Sequence, residues 1–135
     1  MRKDIEFPIV EGIKIVIARS VNELNQTDWD VYLINRLEDC IEKVFITSRG
    51  FGLNKDGQEQ KTSLLRHFYE RLEPGAIIKV EPITPEVFHL NNEYWVSYYI
   101  ENLIFDKKFL FVPDSIKEEF LTKIEDIEDE VILHA

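Results

Sequence analysis

Residues 93–113, EYWVSYYIENLIFDKKFLFVP, constrain the fold more than any other stretch. Two runs rich in β-branched and aromatic residues flank a short polar break, Glu101-Asn102. Asn tolerates the positive φ that a tight hairpin turn needs. Pro113 lacks a backbone donor and stops the second run. The pattern predicts an antiparallel β-hairpin, and with it an antiparallel β class. It leaves function open.

The rest of the chain reads in the same way. In 13–20 (IKIVIARS), Ile13, Ile15 and Ile17 share one face and Lys14, Val16 and Ala18 the other. In 29–35 (WDVYLIN), Trp29, Val31 and Leu33 oppose Asp30, Tyr32 and Ile34. Both read as strands. Residues 44–48 predict a third strand, ended by Gly50-Phe51-Gly52, and 76–83 (AIIKVEPI) predict another whose prolines confine it to an edge. Residues 1–11 read as an extended lead-in, 84–92 as a loop or single helical turn over Phe88 and Leu90, and 131–134 as a short final strand. Segment 62–75 (TSLLRHFYERLEPG) is ambiguous. As a helix it has an N-cap at Ser63 and Leu64, Phe68 and Leu72 at spacing i, i+4, i+8. Its position among strands and the closing Pro74-Gly75 favour a strand. Ser115 and Glu118 have the capping-box spacing, and Ile116, Phe120 and Ile124 would form the stripe of a short C-terminal helix. The expectation is an all-β, immunoglobulin-like antiparallel sandwich of about seven strands with that helix. The alternative is α+β, with a helix at 62–73.

Length and composition suit a single domain spanning 1–135: hydrophobic residues are 44%, charged residues 31%, and the aromatics suffice for a core. Net charge is −10. Its densest part is 114–135, where eight acids face Lys117 and Lys123. Such a surface repels phosphate backbones and anionic membranes, so nucleic acid and membrane are not expected partners. The run reads as a solvated face, or as a dock for a basic partner. Cys40 is the single cysteine, which rules out an internal disulfide. Asp39 and Glu42 beside it disfavour a reactive thiolate. The start, MRKDIEFPIVEG, does not read as a signal peptide, and no apolar run approaches the ~20 residues of a membrane span. The expected setting is cytoplasmic.

Chemistry-bearing motifs are sparse. His67, His89 and His134 have no second His or Cys at ligand spacing, so no metal is expected. Gly50-Phe51-Gly52 lacks the third glycine and following helix of a dinucleotide site. Ser63 and His67 would touch on a helix but show no orienting acid or oxyanion hole. No cofactor and no catalytic residue are assigned. The binding candidates are the aromatics Trp29, Trp95, Tyr98 and Tyr99. The hairpin is apolar on both faces, Tyr94, Val96, Tyr98 and Ile100 against Trp95 and Tyr99. One face is core; the other is covered by residues 115–124 or presented to a partner. Cover is the expectation.

RKDIEFP at the start, TSLLRHF, FHLNNEYWVSYYIEN and DKKFLFVP together resemble an uncharacterised family of short bacterial proteins. Some members carry a label as phenylalanyl-tRNA synthetase subunits. The resemblance implies no active site. It implies, at most, an accessory protein associated with that synthetase or with tRNA. Three functions are therefore carried forward. The first is a non-enzymatic protein-interaction module that binds another protein or itself as a homodimer. The second is the synthetase accessory protein. The third is a small-ligand binder or small enzyme with a site assembled from distant residues.

Overall fold

A computed structural model describes residues 10–135. Most of the lead-in expected over 1–11 lies outside the described residues. The chain is all-β, in two antiparallel sheets. Its strands are β1 (Ile13–Val21), β2 (Thr27–Asn35), β3 (Ile41–Leu53), β4 (Glu59–Lys61), β5 (Leu65–Leu72), β6 (Ile77–Pro82), β7 (Asn91–Ile100), β8 (Leu103–Phe111) and β9 (Val131–Leu133). The first sheet has the order β6-β2-β1-β9. The second has β3-β7-β8, with β4 and β5 following each other along the free side of β3.

The predicted faces hold. Ile15, Ile17, Val31 and Leu33 of the first sheet meet Val44, Ile46, Val96, Tyr98, Phe109 and Phe111 of the second in one buried cluster. Full burial of each such side chain contributes about 1.5–3 kcal/mol. The β7–β8 hairpin is present, with Ile100 paired to Leu103. Its left-handed residue is Glu101, at φ 55°, rather than Asn102.

Three expectations need correction, and one ambiguity resolves. The strand count is nine among the described residues; β4, read from the sequence as loop, has three residues and is too short to show a period. The ambiguous segment 62–75 takes the favoured strand form and not the alternative helix: β5 pairs antiparallel with β3 from Ile41↔Leu72 to Ser48↔Leu65. The ladder outweighs a local helix propensity of a few tenths of a kcal/mol per residue. Gly50-Phe51-Gly52 does not end the third strand, which continues to Leu53. A Cβ at Gly50 would lie 3.0 Å from Thr62 Cγ2 and 3.3 Å from Asn92 Oδ1, so the glycine admits close neighbours inside the strand. The C-terminal helix is reduced to a 3-10 turn at Glu118–Phe120. The capping box does not form; Ser115 Oγ donates to the Val112 carbonyl at 2.7 Å. A helical stripe would put Ile116 and Phe120 on one side, yet Ile116 is buried in the core while Phe120 is 54% exposed.

The sheet edges at β8, β6 and β9 are guarded. Lys107 of β8 sits opposite buried Val96, on the inward side of an edge strand, and its ammonium lies 5.1 Å from the Phe109 ring centroid. An inward-pointing charge opposes strand addition. On the same edge the Ala135 N–H donates to the Leu110 carbonyl at 2.9 Å. Pro82 ends β6, and β9 has three residues.

Candidate functional site

The outer faces of the two sheets differ. Val16, Ala18 and Ile34 on the outside of the first sheet form a second buried cluster with Val131, against which Tyr32, Ile124 and Ile127 pack. The covering chain is the acidic segment. Thr122 and Val131 exchange backbone hydrogen bonds of 2.8 and 2.9 Å, which closes the intervening residues into a strap. Arg36 holds the strap through two bonds to Asp126, 2.9 Å from Nε and 2.6 Å from Nη2. Arg19 pairs with Glu118 and Glu130. The acidic run is thus tied to two arginines, and it lies on the first sheet. The expected cover of the hairpin by residues 115–124 is a misplacement: among the described residues nothing covers the outer face of the second sheet.

On that face β5, β3, β7 and β8 align Arg66–Thr47–Trp95–Lys108 in one row and Phe68–Phe45–Ser97–Asp106 in the next. Phe45, Phe68, Trp95 and Ile104 are each 44–53% exposed. The Phe45 and Phe68 rings touch, with centroids 4.7 Å apart. The Lys108 ammonium lies 4.7 Å from the Trp95 ring centroid, within cation–π range. Phe45, Thr47, Arg66, Trp95, Ile104 and Asp106 line a shallow hollow of about 390 Å³. Of the four candidate aromatics, the structure places Trp95 in this hollow and Tyr99, partly buried, at its end of β7. Trp29 and Tyr98 are core residues. Trp29 meets Phe88 edge-on at 5.5 Å, and Tyr98 stacks on Phe105 at 5.2 Å, where burial pushes its phenol up to about 12. Phe45, Phe68 and Ile104 were missed because their apolar alternation also fits an inward face.

A second constellation joins the sheets at Glu81 of β6. Its carboxylate accepts from Ser48 Oγ of β3 at 2.9 and 3.1 Å, from Tyr94 O–H of β7 at 3.2 Å, and from His67 Nε2–H of β5 at 2.6 Å. The Glu81 side chain is 12% exposed, while Ser48 and Tyr94 are buried. Burial, then the Glu81 charge, holds the Tyr94 phenol far above its ordinary range, so it stays a donor. A bulge creates this arrangement. Val31 pairs with Glu81 but Tyr32 with Lys79, so Val80 is the extra residue on β6. Strict alternation would have sent Glu81 outward with Lys79; the bulge turns it toward the space between the sheets. The sequence carries no local sign of this.

Ser63 lies before β5 and His67 within it, so the helical spacing that would bring them together is not formed. His67 bonds Glu81, and Ser48 also bonds Glu81 rather than the histidine. A nucleophile–base hydrogen bond, the requirement of a Ser–His mechanism, is not formed. His89 Nε2 bonds Gln60 Oε1 at 2.8 Å, and His134 packs edge-on against Phe109. Cys40 Sγ donates to Glu73 Oε2 at 3.0 Å and accepts from Arg71 Nη2 at 2.9 Å. The Glu73 bond, with some desolvation, raises its pKa. Among the described residues no group of His, Cys, Asp and Glu is arranged to hold a metal ion, and no helix is long and apolar enough to cross a membrane. Comparisons with known protein families, with curated proteins and with solved structures found no match.

Proposed function

We propose that this chain is a non-enzymatic protein-interaction module on an immunoglobulin-like sandwich, and that it binds another protein chain through the outer face of its second sheet. The strand order supports the immunoglobulin-like reading. β1, β2 and β6 neighbour one another in one sheet and β3, β7 and β8 in the other, as the A, B, E and C, F, G strands do in that plan. β5 takes the place of an added strand beside C, and β9 is an extra strand beside A.

The observation that carries the function is the contrast between the two outer faces. One is covered by the strap; the other leaves Phe45, Phe68, Trp95 and Ile104 in water. Contiguous exposed aromatics with arginine nearby are the composition of interface centres. On a chain of net −10, this face balances Arg49, Arg66 and Lys108 against Glu70, Glu93 and Asp106. A neutral apolar face suits a protein surface and not a polyanion. The guarded edges at β6, β8 and β9 disfavour strand addition there. A cytoplasmic setting belongs to the same reading and is supported by the free thiol of Cys40. The family resemblance makes a phenylalanyl-tRNA synthetase one protein to offer this face first.

Trp95→Ala and Tyr99→Ala test it. Both variants keep the fold and weaken the complex with a partner, or shift a self-associated form to monomer. Complexes unchanged by both substitutions overturn the proposal.

A further inference from the structure

Beside Glu81, where the end of β6 parts from β3 and β7, lies a cleft of about 240 Å³. Its polar wall is Ser48, Glu81 and Tyr94; its apolar wall includes Leu65, Ile83 and Val87. The two walls do different things. The apolar one offers contact area for a small hydrocarbon body. The polar one ends in a carboxylate that is almost withdrawn from water.

That carboxylate is under-compensated. Among the described residues no Lys or Arg nitrogen lies within ion-pair distance of it, and the His67 contact is an ion pair only when that imidazole is protonated. A desolvated anion needs pairing or several donors. Ser48, Tyr94 and His67 supply three, and a carboxylate has roughly four acceptor sites. Arg49, the cation on the cleft wall, is turned to other partners, Glu93 at 3.1 Å and the Phe51 ring at 4.9 Å. An incoming ammonium would meet a fixed acceptor and, among the described residues, no competing Lys or Arg nitrogen. A cleft below the ~300–1,000 Å³ of drug-sized sites limits the body to a small one.

We infer that the Glu81 cleft is a binding site for a small organic cation, a primary amine with a compact apolar body whose ammonium donates to Glu81. This site shares neither its ligand nor its decisive residues with the outer-face reading, so each can fail alone. Ser48, Tyr94 and His67 position the carboxylate, and the β6 bulge aims it.

Benzylamine, protonated at neutral pH, is the probe. Benzyl alcohol is its neutral counterpart and benzoate its anionic one. Backbone amide NMR titration of the folded protein reads the site directly. Benzylamine is expected to shift the amides of Ser48, Leu65, Glu81 and Ile83 saturably, and benzyl alcohol and benzoate to bind at least about tenfold more weakly. Glu81→Gln removes the charge and lowers benzylamine affinity by about tenfold or more. Ser63→Trp, at the exposed rim, blocks the cleft without touching the carboxylate and serves if the glutamine variant does not fold. Equal shifts from amine and alcohol, no saturable shift with benzylamine, or affinity retained in either variant overturns the inference.

Discussion

Tyr94→Phe removes one oxygen atom and little else. The ring keeps its edge-on contact with Phe111, centroids 6.1 Å apart, so the packing term is preserved. What is lost is the O–H···O bond to Glu81 Oε2 at 3.2 Å. A bond to a charged acceptor contributes ~1.5–3 kcal/mol, and the length of this one, beyond the usual ~2.8 Å, places it at or below the bottom of that range. Glu81 retains Ser48 and His67, so its charge is not stranded. The expected cost is about 1 kcal/mol, or a fall in Tm of roughly 3–5 °C for a chain of this size. Urea denaturation followed by circular dichroism reads it, with an unchanged slope expected because the buried surface is the same. The cycle with Glu81→Ala isolates the bond: without its acceptor, the same substitution should cost less than half as much. A Tyr94→Phe variant as stable as the parent, or costs that simply add in the double variant, would refute the polar bridge between the sheets.

Three further outcomes follow from other parts of the structure. Arg36→Ala should loosen the strap by about 0.5–1 kcal/mol, the scale of a partly exposed bidentate pair. The Arg36 hydrogen bond holds Asp126 below its ordinary 3.8, so the pair's contribution is present above that value and lost as pH falls through the lower folded one. Melting curves of the two proteins should therefore differ at neutral pH and converge below pH ~3, and a gap that persists in acid contradicts the assignment. Glu101→Gly should stabilise the hairpin by about 0.5 kcal/mol, since a non-glycine residue at φ 55° carries strain that glycine lacks; a destabilised variant in urea titration argues against that turn geometry. Cys40 should alkylate with iodoacetamide more slowly than an unstructured thiol, because Glu73 raises its pKa, and Glu73→Gln should speed the reaction. Equal rates in both proteins rule out the thiol–carboxylate bond.

The elements readable in the sequence are those with a strong period inside one window. Ile13, Ile15 and Ile17 and then Trp29, Val31 and Leu33 announced inward faces that the fold keeps. The β7–β8 hairpin announced itself by two runs and a break. Parity also grouped Tyr98 with Tyr94 and Val96, but parity alone does not say which face turns inward. Tyr98 and Trp29 proved to be core, while Trp95 lies outside. Residues 65–72 were ambiguous because a strand that keeps Arg66, Phe68 and Glu70 in water has no clean alternation. Residues 115–124 were misread as a helix because the apolar residues of this stretch divide between two clusters, Ile116 and Leu121 in the main core and Ile124 on the outer one. Glu81 was invisible for a different reason. Its direction depends on a bulge against β2, a relation between strands that no single segment encodes.

The most direct test of the binding face is site-specific photo-crosslinking from Ser97, which lies at the centre of the bare sheet between Phe45 and Asp106. A benzophenone amino acid there, in the full chain inside its host cell, should give a discrete protein adduct identifiable by mass spectrometry. Trp95→Ala should remove that adduct, and the same probe at Lys14 on the first sheet should not form it. A face that yields no protein adduct, or one indifferent to Trp95→Ala, would contradict the account of this chain as an interaction module.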